Sequence, residues 1–304
     1  MALHSPTHLK GIALSAAGMV VISPDGLLVR LITEAGPWEI IVWRALGIGI
    51  SLLAVLTAMH GRRVLRSLTG IGGWGVLAVA LLTGTQIGFV GAITHTSVAN
   101  TLVILATMPL FAALIGVVFL KERVAPRTLA AIAIGLTGIV VIFAGSLGGG
   151  TLAGDLMALG TAALHGAHLV VLRKAGHRII LPALCLSGFL AALIALPFAD
   201  PLAIPGRDFG IIAFQGLIQM PVALVLFFAG TRYTPAAEVA LMSLLETILG
   251  PIWAWLGVGE VPPAASVLGG AIVVAAIALN ALAAMLGPRS HAAERPAPVP
   301  PPPG

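Results

Sequence analysis

Apolar runs punctuated by Gly, Pro and charged residues divide the chain into ten segments, near 11–32, 38–59, 73–93, 97–119, 128–145, 153–172, 181–199, 209–229, 235–257 and 264–286. As a helix, each is long enough to cross a hydrocarbon core about 30 Å thick. The pattern predicts an all-α integral membrane protein with ten transmembrane helices. The ninth segment carries an exception. In "AEVALMSLLETILGPIWAWL" (237–256), Glu246 sits near the middle of the apolar run. An ionisable side chain at that depth costs roughly 2.5–3.5 kcal/mol on insertion scales. Glu246 shares a helical stripe with Glu238, Met242, Leu249 and Trp253. A stripe with two acids and a Trp is expected to face the bundle interior.

Ten crossings place both termini on one side. If that side is cytoplasmic, the inner segments hold thirteen Lys and Arg, clustered as Lys10, Arg62 to Arg66, Lys121 to Arg127, Arg173 to Arg178, Arg232, Arg289 and Arg295. The outer loops hold Arg207 alone, and Arg30 and Arg44 fall within spans. This asymmetry predicts an N-in, C-in protein of a bacterial-type inner (plasma) membrane. The opening segment, "MALHSPTHLKGIALSAAGMVVISPDGLLVRLI", lacks a small-residue cleavage site and is expected to remain as the first helix. The closing "HAAERPAPVPPPPG" is Pro-rich and is expected to be a disordered tail.

Composition agrees: 59% of the 304 residues are hydrophobic and 9% charged, with a mean hydropathy of +1.08. Soluble domains carry about 25% charged residues. The net charge of +5 does not indicate nucleic acid, because the basic residues lie in short clusters between spans and form no basic face. Cys185 is the one cysteine and cannot make an intrachain disulfide.

The two halves repeat. Residues 103–142 align without gaps on 241–280, an offset of 138, with Glu122 on Glu260 and Met108 on Glu246. "VISPDGLLVR" (21–30) matches "LHGAHLVVLR" (164–173) at an offset of 143, with Arg30 on Arg173 and Asp25 on His168. Each half has five spans. An odd number makes the second half enter the membrane from the opposite side. The expected organisation is a cytoplasmic N-terminus (1–10), a first five-helix repeat (11–148), an inverted second repeat (149–287) and the tail (288–304). Inverted repeats place a transporter's substrate site near the midplane between the halves.

The acid turns "LKERVAP" and "GVGEVPP", each between small-residue-rich spans, together with "SLLETILGP" and "WEIIVWRALGIGI", resemble the drug/metabolite transporter superfamily with two EamA-type repeats. The resemblance covers about residues 11 to 286. Thr247 stands where that family usually has Pro after the acid, and Pro251 could supply the kink instead. The resemblance implies efflux of a small metabolite by alternating access. Among its ten-span members are exporters of amino acids, aromatic ones included, and of toxic cations.

Each polar residue carries two readings. Glu246 either binds a substrate ammonium or a transported proton, or is a buried acid holding the repeats in register. Asp25, between Pro24 and Gly26, either marks a helix break at a binding site or is a polar kink paired with Arg30. Arg44 either takes a substrate carboxylate or pairs with Asp25 or Glu39. Arg30, Glu39 and Glu238 read as interfacial. His165 and His168, three apart, read as a cavity lining, a proton-sensitive pair or a structural pair. They are too few for a metal site. Gln86, and Gln215 with Gln219 four apart, either grip substrate groups or bond across helices; Asn100, Thr101 and Thr107 read as such packing bonds. Trp253 completes the candidate lining. Glu246 on an amino group and Arg44 on a carboxylate would suit an amphipathic zwitterion, whereas a cationic drug needs the acid alone.

The expected function is secondary export of small metabolites, foremost aromatic or other hydrophobic neutral amino acids. Proton-coupled efflux of cationic drugs or other toxic metabolites is the alternative. A membrane enzyme on lipid-linked substrates is less supported, because no paired-acid motif, G-x-S-x-G or phosphate loop occurs. An asymmetric repeat suits a channel poorly, and without a Walker motif ATP is not the direct energy source. No cofactor, catalytic residue or metal is expected. The expected partners are the lipid bilayer and a small-molecule substrate, with no nucleic acid, and the chain is expected to be a monomer or weak homo-oligomer.

Overall fold

The computed structural model describes residues 6–121, 126–146, 151–231, 233 and 236–286. Glu122 and the Pro-rich tail lie outside these residues. All the described secondary structure is helical, and ten helices are long and apolar enough to cross a membrane. They run His8–Arg30, Pro37–Thr69, Gly72–His95, Val98–Leu120, Pro126–Ser146, Leu152–Ala175, Ile180–Phe198, Gly206–Thr231, Leu241–Val258 and Ala264–Ala283. The second run overshoots its expected end because helix Pro37–His60 continues through a 3-10 turn into the short helix Val64–Thr69.

The packing repeats when the halves are exchanged. The third span packs on the sixth and the eighth on the first; the fourth packs on the sixth and the ninth on the first. The second and seventh pair with each other, as do the fifth and tenth. Each pairing therefore has a mate five spans on, as an inverted five-plus-five repeat requires.

Three spans leave the regular α-helix. The first breaks between helix Pro6–Ile22 and the six-residue helix Asp25–Arg30. Pro24 has no N–H, so Val20 loses its helical donor; Ser23 Oγ donates to Val20 O at 2.8 Å instead. Gly26 lets this short helix approach the fourth span, since a Cβ there would lie 2.7 Å from Val98 Cγ1. The fourth span breaks between Val98–Leu105 and Met108–Leu120, with Pro109 in the first turn of the second piece. The eighth contains a π-helical turn, Gln215–Gln219. There Gly216 packs on the second span, and a Cβ on it would lie 2.6 Å from Arg44 O.

The face opposite the termini is tied by buried polar groups. Arg30 Nε donates to Glu260 Oε2 at 2.7 Å, and Arg30 also donates to Thr96 O. Glu260 Oε1 accepts from the Val98 N–H at 2.6 Å, at the start of helix Val98–Leu105. Arg30 is thus half-buried in an ion pair, not a lone interfacial charge, and its partner is Glu260 and not Asp25. Glu39 does sit near the surface, accepting from the Asp200 N–H. Asp208 Oδ2 accepts the N–H groups of Thr33, Glu34 and Ala35 at 2.8–3.1 Å, fixing the loop between the first two spans. Asp155, fully buried, accepts from Thr96 Oγ1 at 2.6 Å, from Asn100 Nδ2 at 2.9 Å and from Ser146 Oγ. Asn100 Oδ1 accepts in turn from Ser266. This network joins the third, fourth, fifth, sixth and tenth spans. On the terminal face, His8 Nε2 lies 2.6 Å from Glu238 Oε2.

Replacing Asp155 with Ala strands several buried donors, each worth about 1–3 kcal/mol when unsatisfied. Asp155→Ala should lower the thermal unfolding temperature in detergent by several degrees. An unchanged melting curve would show that the network does not hold these five spans.

Candidate functional site

A cavity of about 160 Å³ lies between the halves. An apolar cavity of about 150 Å³ holds a benzene molecule, so the space suits roughly one ring. Its charged lining residues are Asp25, Arg44 and Glu246, with His165, Gln86, Ser243, Thr85, Thr161 and Thr247 adding polar groups. Phe89, Met108, Met220 and aliphatic side chains form the remainder. Leu184, one turn into the seventh span, also lines it, so the cavity extends toward the terminal face.

Asp25 reaches the cavity because the break at Pro24 redirects the chain. Its carboxylate is held on both oxygens. Arg44 Nη2 donates to Oδ2 at 2.7 Å, and Gln215 Nε2 donates to Oδ1 at 2.9 Å. Both members of the ion pair are nearly inaccessible, with side chains 2% and 3% exposed. Arg44 also lies over the Phe89 ring, 5.2 Å from its centroid. Of the two readings of Arg44, the geometry realises the pair with Asp25.

Glu246 differs. It lines the cavity and has no ion-pair or hydrogen-bond partner among the described residues. Gln86 is oriented by a bond from its Nε2 to Ser187 Oγ at 2.9 Å, which leaves Oε1 without a donor. His165 lines the cavity with its ring centroid 6.4 Å from that of His168.

Four expected lining residues lie elsewhere. His168 is buried outside the lining, with Nε2 unpartnered among the described residues. Gln215 and Gln219 do share a face, but the π turn aims that face at the broken first span. Gln219 Nε2 donates to Val21 O at 3.1 Å, supplying a carbonyl beside the break. Trp253 is 38% exposed, and its Nε1 donates to Ser23 Oγ at 2.9 Å. These three side chains brace the break that positions Asp25. Thr101 and Thr107 bond to backbone carbonyls of their own span, and Asn100 belongs to the Asp155 network. The sequence repeat signalled Met108 only as the counterpart of Glu246; the break at Ala106 and Thr107 brings it to the cavity.

Ten spans in two inverted halves, packed around a mostly apolar cavity where helices are interrupted, form the architecture of a membrane transporter. The chain belongs to the EamA-like transporter family, whose model matches residues 9–144 and 152–282. No functionally curated protein matches it. One solved crystal structure of a protein is similar with a TM-score of 0.60 and 18% identity, covering 91% of this chain and 96% of that chain. At that identity the likeness shows the fold alone.

If Asp25 and Arg44 form a self-contained pair, removing one partner should cost more than removing both. Arg44→Leu leaves a buried carboxylate uncompensated, at about 3–5 kcal/mol. The double variant Asp25→Leu/Arg44→Leu should melt at a higher temperature than Arg44→Leu alone. A double variant less stable than either single variant would argue against the pair.

Proposed function

We propose that the chain is a secondary transporter that exports small amphipathic metabolites bearing an amino group, with Glu246 as the ammonium site. The supporting observation is a carboxylate without a partner among the described residues, lining a cavity of roughly one-ring size. A buried charge without a partner is expensive, and a substrate cation or a proton offsets the cost. The two compete for one carboxylate, which is the minimum requirement for exchange. Export proceeds by alternating access, with both termini in the cytoplasm of a bacterial-type inner membrane. The clustered Lys and Arg support this orientation. The polar ties opposite the termini then close the outer side, while the cavity reaches toward the inner one. Hydrophobic neutral amino acids fit the size and amphipathic lining. Cationic drugs are the second reading, favoured by the occupied state of Arg44.

Proteoliposomes test this reading. Uptake of a labelled aromatic amine or amino acid should saturate and respond to an imposed pH gradient. Glu246→Gln should keep the size-exclusion profile of the folded protein and lose at least about tenfold in transport, as expected when a charge-assisted contact worth over 1.4 kcal/mol disappears. Transport by Glu246→Gln with unchanged kinetics and pH response would remove Glu246 from the site.

A further inference from the structure

We infer that the cavity selects monocationic amines over the zwitterionic amino acids of the same shape, because Asp25 neutralises Arg44 and leaves Glu246 as the uncompensated charge. This rests on the proposed transport role and narrows its substrate class.

Three charged side chains line the cavity: Asp25, Arg44 and Glu246. The guanidinium of Arg44 is committed to Asp25 at 2.7 Å and stacked over Phe89. Asp25 is itself held by Gln215, on both its side chain and its backbone carbonyl, so it cannot turn away from Arg44 without losing those bonds. The π turn seats Gln215 rigidly, because Gly216 beside it packs directly on the Arg44 backbone. With the pair closed and Glu246 ionised, the three charged side chains sum to one net negative charge. A substrate ammonium meets Glu246. A substrate carboxylate finds no Lys or Arg among the described lining residues other than the paired Arg44. At Arg44 it would sit beside the Asp25 carboxylate, in a space too small for much water, and such like-charge juxtaposition costs several kcal/mol. The preferred ligand is therefore an amine on an apolar body of about one ring, with any oxygen uncharged. Specificity then comes from a repulsive element as much as an attractive one.

The probes are phenethylamine, phenylalaninamide and phenylalanine, which share one ring and one ammonium and differ in the carboxylate. Binding to the purified full chain and uptake into proteoliposomes should favour the first two over phenylalanine by about tenfold or more. Asp25→Asn frees Arg44 and should raise the phenylalanine-to-phenethylamine ratio at least about tenfold. Phenylalanine bound or moved as well as phenethylamine by the unmodified chain overturns the selectivity and leaves the transporter reading intact. Binding and transport of none of the three overturns both. A folded Asp25→Asn variant with an unchanged ratio overturns the role of the ion pair. If that variant does not fold, the comparison on the unmodified chain still decides the selectivity.

Discussion

A backbone carbonyl in hydrocarbon must find a donor, and Pro24 removes one from the middle of the first span. Much of the candidate site answers that requirement. Ser23 Oγ supplies Val20 O, Gln219 supplies Val21 O, and Gln215 supplies Asp25 O. Trp253, from the ninth span, fixes Ser23 Oγ in turn. Two of these three donors come from the eighth span, because its π turn presents two Gln side chains together. The break is thus satisfied in part by the opposite half of the molecule, which couples the two repeats at the depth of the cavity. The same Gln215 amide that serves the backbone also orients the Asp25 carboxylate, so the scaffold and the electrostatics of the site share one side chain.

The two halves have the same packing scheme and different chemistry. Met108 and Glu246 occupy corresponding positions in the repeats, and both line the cavity. One is a soft apolar wall; the other is a carboxylate with no partner among the described residues. Asp25 corresponds to His168, which lies buried away from the cavity. Inverted symmetry builds the enclosure, while divergence at these positions makes its contents one-sided. A channel with equivalent walls would have no reason to keep that difference. A site that must hold an amphipathic molecule in one orientation does.

The architecture was legible because bilayer thickness imposes a long apolar run on every span and because the repeat offset aligned Glu122 with Glu260 and Met108 with Glu246. Glu246, Arg44, Asp25, Gln86 and His165 stood out as polar side chains at apolar depth, and these line the cavity. Gln215, Gln219 and Trp253 stood out for the same reason but serve the break. Spacing alone could not separate the two roles, since a π turn shifts the facing of the residues that follow it by more than a quarter turn relative to an α-helix. Asp155 and Asp208 carried no usable signal. Each is an acid at a span boundary, where an exposed charge is ordinary, and only the tertiary fold surrounds Asp155 with Thr96, Asn100 and Ser146.

The short helix Asp25–Arg30 joins the two charged layers of the molecule. At one end Asp25 holds Arg44 beside the cavity; at the other Arg30 holds Glu260 on the face opposite the termini. Six residues of helix rise about 9 Å and do not stretch. A displacement of Asp25 large enough to release Arg44 must therefore carry Arg30 with it, unless the helix pivots about the break at Pro24. A pivot would strain the contact between Gly26 and Val98, where the helices already touch. Val98 begins the fourth-span helix that Glu260 caps, so that strain acts on the same tie. The ion pair beside the cavity and the ion pair on the distant face thus share one rigid element, a helix of six residues with a glycine that has no space to spare.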